Sequence, residues 1–173
     1  MNRLSSFVRK VARALTPPTR RKVRTDAVPD APPLAVRTRI VSPPAANGLK
    51  IGYAPEADGG ADAGEIVWTW VPYAEGDGRG KDRPVLVIGR QDSDHVYAVR
   101  LTSRPHDGDR DYIAIGSGSW DAKGRASWVD IEQLYSVHHR GMRREAAALE
   151  LDRFVIVANA LRRRYGWDAE RHR

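Results

Sequence analysis

Arg83, the Thr102-Ser103 pair and the acidic loop preceding the arginine are the residues of this chain whose types could do chemistry together. An arginine fork can hold two oxygens of one anion, but a pKa above about 12 makes it a poor base. The hydroxyls of Thr102 and Ser103 can hydrogen-bond a ligand oxygen. The loop from Glu75 to Asp82 adds carboxylates at 75, 77 and 82 that could accept a proton, and Lys81 adds a second cation. Other templates fail. Gly76-Asp77-Gly78-Arg79-Gly80-Lys81 has Glu75 where a phosphate-binding loop needs its first glycine, and Asp82 where it needs Ser or Thr. No Gly-x-Ser-x-Gly elbow gives Ser103, Ser117 or Ser119 a nucleophile's setting. The histidines at 95, 106, 138, 139 and 172 lack paired helical spacing, and His138 and His139, adjacent beside a strand, are expected on opposite faces. No metal and no organic cofactor is expected.

The elements that must position these groups read as those of a small β protein. Pro84 lacks an N–H and suits the first position of a strand, and Val85-Leu86-Val87-Ile88 reads as a strand buried on both faces with Arg83 at its mouth. Residues 65–71 alternate, with Ile66, Trp68 and Trp70 on one face, and 94–102 alternate again, with Arg100 and Thr102 sharing a face. Further strands are predicted over 112–115 and 127–137. Leu151, Phe154, Val155, Ala158, Leu161 and Tyr165 mark the stripe of a closing helix that Gly166 stops.

Composition divides the chain near Gly64. Residues 1–63 hold eight of the eleven prolines but only two of the thirteen aromatics, Phe7 and Tyr53, too few large apolar groups to offset ordering entropy. The expectation is a largely disordered tail over 1–63 and a domain over 64–173. The net charge of +7 belongs to the tail: residues 1–50 carry eleven Lys or Arg against two acids, and 64–173 carry eighteen against seventeen. The folded part must therefore bind anions through a local patch. Leu4, Phe7, Val8, Val11 and Leu15 define a short basic amphipathic helix that could touch an anionic surface weakly or act as a nucleic-acid arm. No transmembrane span is present, and the absence of cysteine is compatible with the cytoplasm.

Gly64-Glu65-Ile66-Val67-Trp68, then Lys81-Asp82-Arg83-Pro84-Val85-Leu86-Val87-Ile88, then Leu101-Thr102-Ser103, then Ile131-Glu132-Gln133-Leu134 before an amphipathic helix, together resemble the MazF/PemK family of toxin endoribonucleases. The resemblance spans about 64–167. It implies an SH3-like β-barrel with a C-terminal helix, working as a homodimer that cuts single-stranded RNA, and an antitoxin protein that occupies the same groove. It places Arg83 and Thr102 at the family's catalytic positions. Such cleavage can use the substrate's own 2′-hydroxyl, so the protein need supply only a cation for the developing phosphorane and groups that move protons. Ser103, Glu75, Lys81, Arg100 and Glu132 are the candidate RNA contacts, and Glu132 could instead pair with Arg100 or Arg140. Trp68, Trp70 and Trp128 could stack on bases or fill the core.

Some family members carry a glutamate five residues before the arginine, and here that position is Gly78. Asp77 is the first choice for proton acceptor, with Glu75 and Asp82 as competitors and Asp82 expected to pair with Arg83. His106 or water is the remaining alternative. Two other classes stay open: a non-catalytic binding module on the same barrel, of the topoisomerase-poisoning type, and a DNA-binding regulator. No helix-turn-helix pattern supports the regulator.

Overall fold

The computed structural model describes residues 31–55 and 61–169. The helix predicted within residues 4–15 lies outside them. Among the described residues nine strands and one long helix follow in order: β1 (Arg39–Val41), β2 (Lys50–Ile51), β3 (Glu65–Pro72), β4 (Gly80–Arg90), β5 (His95–Thr102), β6 (Tyr112–Gly116), β7 (Ser127–His138), β8 (Met142–Ala148), α1 (Leu151–Tyr165) and β9 (Asp168–Ala169). Seven strands form one antiparallel sheet in the order β1-β7-β5-β4-β3-β8, with β6 also on β7, while β2 and β9 pair in parallel. The fold is mainly β with a C-terminal helix, as the sequence implies. The sheet's ladder does not close, but it curls: β1 and β3 are not neighbours in it, yet the Thr38 and Thr69 hydroxyls just beside and within them meet at 2.8 Å. Thr69 gives its proton to the Gly141 carbonyl, so Thr38 donates to Thr69.

β4 shows why a continuous apolar run makes a strand here. Val85, Leu86, Val87 and Ile88 are fully buried, and period-two alternation sends them to two different places. Leu86 and Ile88 join the larger core with Leu101, Leu134, Phe154 and Leu161. Val85 and Val87 join a smaller one with Val67, Val71, Tyr135 and Val137. Neither face is left for water, which is why no polar residue interrupts the run.

α1 covers the larger core. Its buried residues are Phe154, Val157, Ala158, Ala160 and Leu161, so the stripe is rotated from the expected one and leaves Leu151 and Val155 exposed. Spacings of three and four from Phe154 reach Val157, Ala158 and Leu161, whereas Val155 falls a hundred degrees away. The helix stops at Gly166, whose φ of 73° is left-handed and whose N–H returns to the Arg162 carbonyl at 2.7 Å.

The boundary expected near Gly64 does not coincide with where packing starts, and one strand escapes the sequence reading. Packing begins well before Gly64: β1 pairs with β7, Leu49 and Ile51 are buried in the larger core, and the Tyr53 hydroxyl donates to the Leu149 carbonyl at 2.9 Å. The Trp167 indole donates to the Pro44 carbonyl from the other end of the chain. These apolar groups are isolated between prolines, so composition averaged over 63 residues hides them. Residues 142–148, to which no strand pattern points, form β8 along the edge of β3, where backbone pairing overrides the low strand preference of a Glu- and Ala-containing segment.

Candidate active site

Arg83 reaches its place through the β3–β4 register, in which it lies opposite Thr69 while Pro84 lies opposite Trp68. The β4–β5 register sets Val85 opposite Arg100, and β5 ends at Thr102. β4 begins at Gly80, so Arg83 and Pro84 are its fourth and fifth residues and not its mouth and first position, as expected; the first half of β4 and the end of β5 therefore lie on the same side. A cavity of about 480 Å³ lies there. Lys81, Asp82, Arg83 and Pro84 form one wall; Arg100, Leu101, Thr102 and Ser103 form another. Arg104 and His106 come from the loop after β5, Tyr112 from β6, and Trp120, Asp121, Arg125 and Ser127 from the turn before β7 and its first residue, with Trp68 completing the lining from β3.

The charge is strongly one-sided. Lys81, Arg83, Arg100, Arg104 and Arg125 face Asp82 and Asp121. Asp82 does not pair with Arg83, as expected from adjacency, but with Arg143 of β8 at 2.9 Å, because β8 runs along the other edge of β3. Asp121 is held by Arg125 Nε at 2.8 Å and by the Lys123 N–H, which draw its carboxyl below the usual range. Among the described residues no carboxylate bonds the side chains of Lys81, Arg83 or Arg104. Three cations in a concave site without internal partners suit a polyanionic ligand.

Arg100 is anchored. Its Nη2 donates to Asp130 Oδ2 at 2.6 Å, while its Nε is buried without a partner among the described residues. Burial works against the charge, but the phenol of Tyr135 and the Asp130 carboxylate outweigh it, and the Arg100 pKa lies above its ordinary value. Glu132 does not make this pair. A register shift between Val99 and Leu101 sets Leu101 opposite Val129 and brings Asp130 to the arginine, and Asp130 Oδ1 takes the Glu132 N–H. Asp130 escapes the sequence reading because a bulge, not alternation, decides which acid faces Arg100.

Thr102 Oγ1 accepts the Arg104 N–H at 3.1 Å, which leaves the hydroxyl proton to donate. Of the eight candidate residues, the structure brings together Arg83, Thr102, Ser103, Lys81 and Arg100 on the cavity wall. It does not bring Asp77, Glu75 or Glu132 there. Asp77 is turned onto Arg79: Oδ1 accepts the backbone N–H at 3.0 Å and Oδ2 the Nε at 2.6 Å. These bonds hold its carboxyl below the usual range, the backbone one most strongly. The expected reach of Asp77 to a bound ligand is therefore not seen. Of the three tryptophans weighed for stacking, Trp68 lines the cavity, whereas Trp70 is buried with the Arg37 guanidinium 5.1 Å from its ring.

His106 is the residue that the sequence leaves as a remainder. Its ring lies flat on Tyr112, centroids 3.5 Å apart and planes 8° from parallel. Its Nδ1 is 3.5 Å from Asp109 Oδ2, and Asp109 Oδ1 accepts the Asp111 N–H. The spacing His-x-x-Asp, closed by Gly108 at φ 79°, is a weak sequence signal for a turn that could hold such a pair.

A possible metal-binding group lies elsewhere. Asp94, His138 and His139 offer ligand atoms within 4.8 Å of one another at the start of β5, about 23 Å along the strand from Thr102. His138 and His139 are not on opposite faces, as expected, because β7 ends at His138 and a 3-10 turn brings their rings to 4.6 Å. Burial and the neighbouring imidazoles lower the His138 pKa; its Nδ1 accepts the Arg140 N–H, which puts the proton of the neutral ring on Nε2. That ring has no free lone pair in this arrangement, so the group is not a preformed site.

Fold and site together define a small, curled antiparallel β domain with a cationic cleft. The chain belongs to the family of PemK-like, MazF-like toxins of type II toxin-antitoxin systems, whose family model matches residues 62–164. Two solved structures are similar: MazE-MazF (Form-II) from Deinococcus radiodurans, at 24% identity and TM-score 0.44, covering 61% of this chain and 95% of that one; and the Mycobacterium tuberculosis toxin MazF-mt6, at 15% identity and TM-score 0.43, covering 59% and 98%. No curated protein sequence matches the chain at a significant level. Among the described residues no helix is long and apolar enough to cross a membrane.

Proposed function

We propose that this toxin is an endoribonuclease that cuts single-stranded RNA by attack of the substrate's 2′-hydroxyl on the adjacent phosphate, without a metal ion. The observation that carries the reading is that Arg83, free of any ion-pair partner among the described residues, and the Thr102 hydroxyl line the same cationic cavity. Arg83 neutralises charge that builds on the non-bridging oxygens, and Thr102 donates its remaining proton to one of them. Arg100, Lys81 and Ser103 hold the flanking backbone. Asp130 keeps the Arg100 fork in place, so that its ordering is complete before RNA arrives. Trp68 presents an aromatic surface to the cavity and suits an unpaired base.

Membership of a toxin-antitoxin family supports a protein antitoxin as partner, one whose acidic groups cover the unpaired cations of the cavity. The family resemblance also supports a homodimer, and an mRNA substrate would set the site of action in the cytoplasm. The test is end-mapping of a long RNA incubated with the pure protein in EDTA. Fragments ending in a 2′,3′-cyclic phosphate and a 5′-hydroxyl are expected. Activity abolished by chelator, or binding of RNA without any cleavage, overturns the reading in favour of metal-dependent or binding-only roles.

A further inference from the structure

We infer that His106 accepts the proton of the attacking 2′-hydroxyl; the inference rests on the RNA-cleaving reading above and names a residue for its unassigned step. The cavity offers few acceptors. Its two carboxylates among the described residues are each spent on an arginine outside the reacting pair, Asp82 on Arg143 and Asp121 on Arg125. Asp77 is engaged by Arg79 and stands off the wall. Arginine and lysine hold their protons too firmly near neutral pH. Among the described residues His106 is the one imidazole on the cavity lining, which it shares with Arg83 and Thr102.

Its surroundings suit the task. Stacking on Tyr112 fixes the plane of the ring, and Asp109 Oδ2 faces Nδ1 while Asp111 holds the other carboxylate oxygen. A proton on Nδ1 directed at that carboxylate leaves Nε2 with its lone pair, the form an acceptor needs. The Asp109 charge then offsets the imidazolium that forms. From the other elements, Arg83 and Arg100 oppose that charge, and Asp82 is already neutralised by Arg143. In the step, the 2′ O–H proton passes to Nε2 as the O2′–P bond forms. The P–O5′ bond breaks, the 5′ oxygen leaves with the electron pair and takes a proton from water, and His106 returns its proton to solvent.

The experiment measures cleavage of an oligonucleotide by the full chain between about pH 5 and pH 8, with wild type, His106→Ala and Arg83→Ala, and binding of the same oligonucleotide carrying 2′-deoxy residues. For His106→Ala the expected result is a rate loss of about a hundredfold or more with little change in binding. The wild-type fall in rate toward acid pH should disappear in the variant, and added imidazole should restore part of the rate. His106→Ala cutting at the wild-type rate, or a slow variant that keeps the wild-type pH profile and ignores imidazole, overturns the inference. If Arg83→Ala is inactive in that same experiment, the cleavage reading survives. Wild type that cuts no RNA overturns both. Should His106→Ala not fold, Asp109→Asn is the second variant: a loss of about tenfold or more supports the dyad and an unchanged rate refutes it.

Discussion

Arg100 Nη2 and Asp130 Oδ2, 2.6 Å apart, join the middle of β5 to β7 behind the cavity. Asp130 is almost wholly buried and Arg100 is about one-quarter exposed, at 5% and 26% of their side-chain areas. Asp130→Asn would leave the guanidinium partly buried without its counter-charge. Breaking a buried pair costs about 3 to 5 kcal/mol, and the exposure of Arg100 sets the expected loss at the low end, about 3 kcal/mol. Urea unfolding of the variant should show it, together with weaker RNA binding, because the fork is no longer held.

Arg83→Ala should abolish cleavage and leave stability nearly unchanged, since the side chain makes no ion pair among the described residues whose loss would be felt in the fold. One charge-assisted contact to a transition state is worth roughly 3 to 4 kcal/mol, a hundredfold or more in rate. Thr102→Val should cost less. Single-turnover rates and a thermal melt on the same samples check both statements.

Asp77→Asn should be nearly silent for cleavage, because the carboxylate is spent on Arg79 outside the cavity. Its effect on stability should stay within about 0.5 kcal/mol, as for other surface substitutions. A hundredfold rate loss in this variant would return the acceptor role to the loop and away from His106.

Removal of residues 1–30 should leave the fold intact, whereas removal of residues 1–63 should not. The longer deletion takes away Leu49, Ile51 and Tyr53 with the β1 pairing. Each buried side chain of this size contributes about 1.5 to 3 kcal/mol, so the loss is on the order of 5 kcal/mol, comparable with the whole stability of a small domain. Urea midpoints of the two shortened chains decide the matter.

Burial, opposed by the charge of Arg100, raises the Tyr135 phenol above its ordinary value of 10.0, and Tyr112 shifts the same way. A folded pKa above the unfolded one means that the stabilisation is complete below the unfolded value and is lost as pH rises through the folded one. Wild type should therefore lose stability above about pH 10 more steeply than Tyr135→Phe, which has no phenol to ionise. Urea midpoints of both proteins from pH 8 upward test it.

The strands that carry Arg83 and Thr102 were legible because alternation and a fully apolar run are local signals, and burial on one or both faces is what writes them. The five cavity-lining candidates follow from those strand ends. What was not legible depends on partners distant in the chain. β8 exists through its pairing with β3, Asp130 faces Arg100 through a bulge, and Asp82 finds Arg143 across β3. The placing of Asp77 has a more local reason: the loop glycines that could have carried it toward the cavity instead let it close on Arg79 two residues on. His106 had no sequence pattern of its own beyond a turn with an acid three residues later.

β4 is held from both faces, with Leu86 and Ile88 in one cluster and Val85 and Val87 in the other. A slip of one residue would exchange the two sets and turn Arg83 away from the cavity. The aim of the guanidinium is thus inherited from residues that never meet a ligand. The segments that supply the rest of the wall, 103–111 and 117–126, lie outside that clamp. They can be exchanged between relatives, or rebuilt by design to prefer another RNA sequence, while the arginine goes on pointing where the two cores have set it.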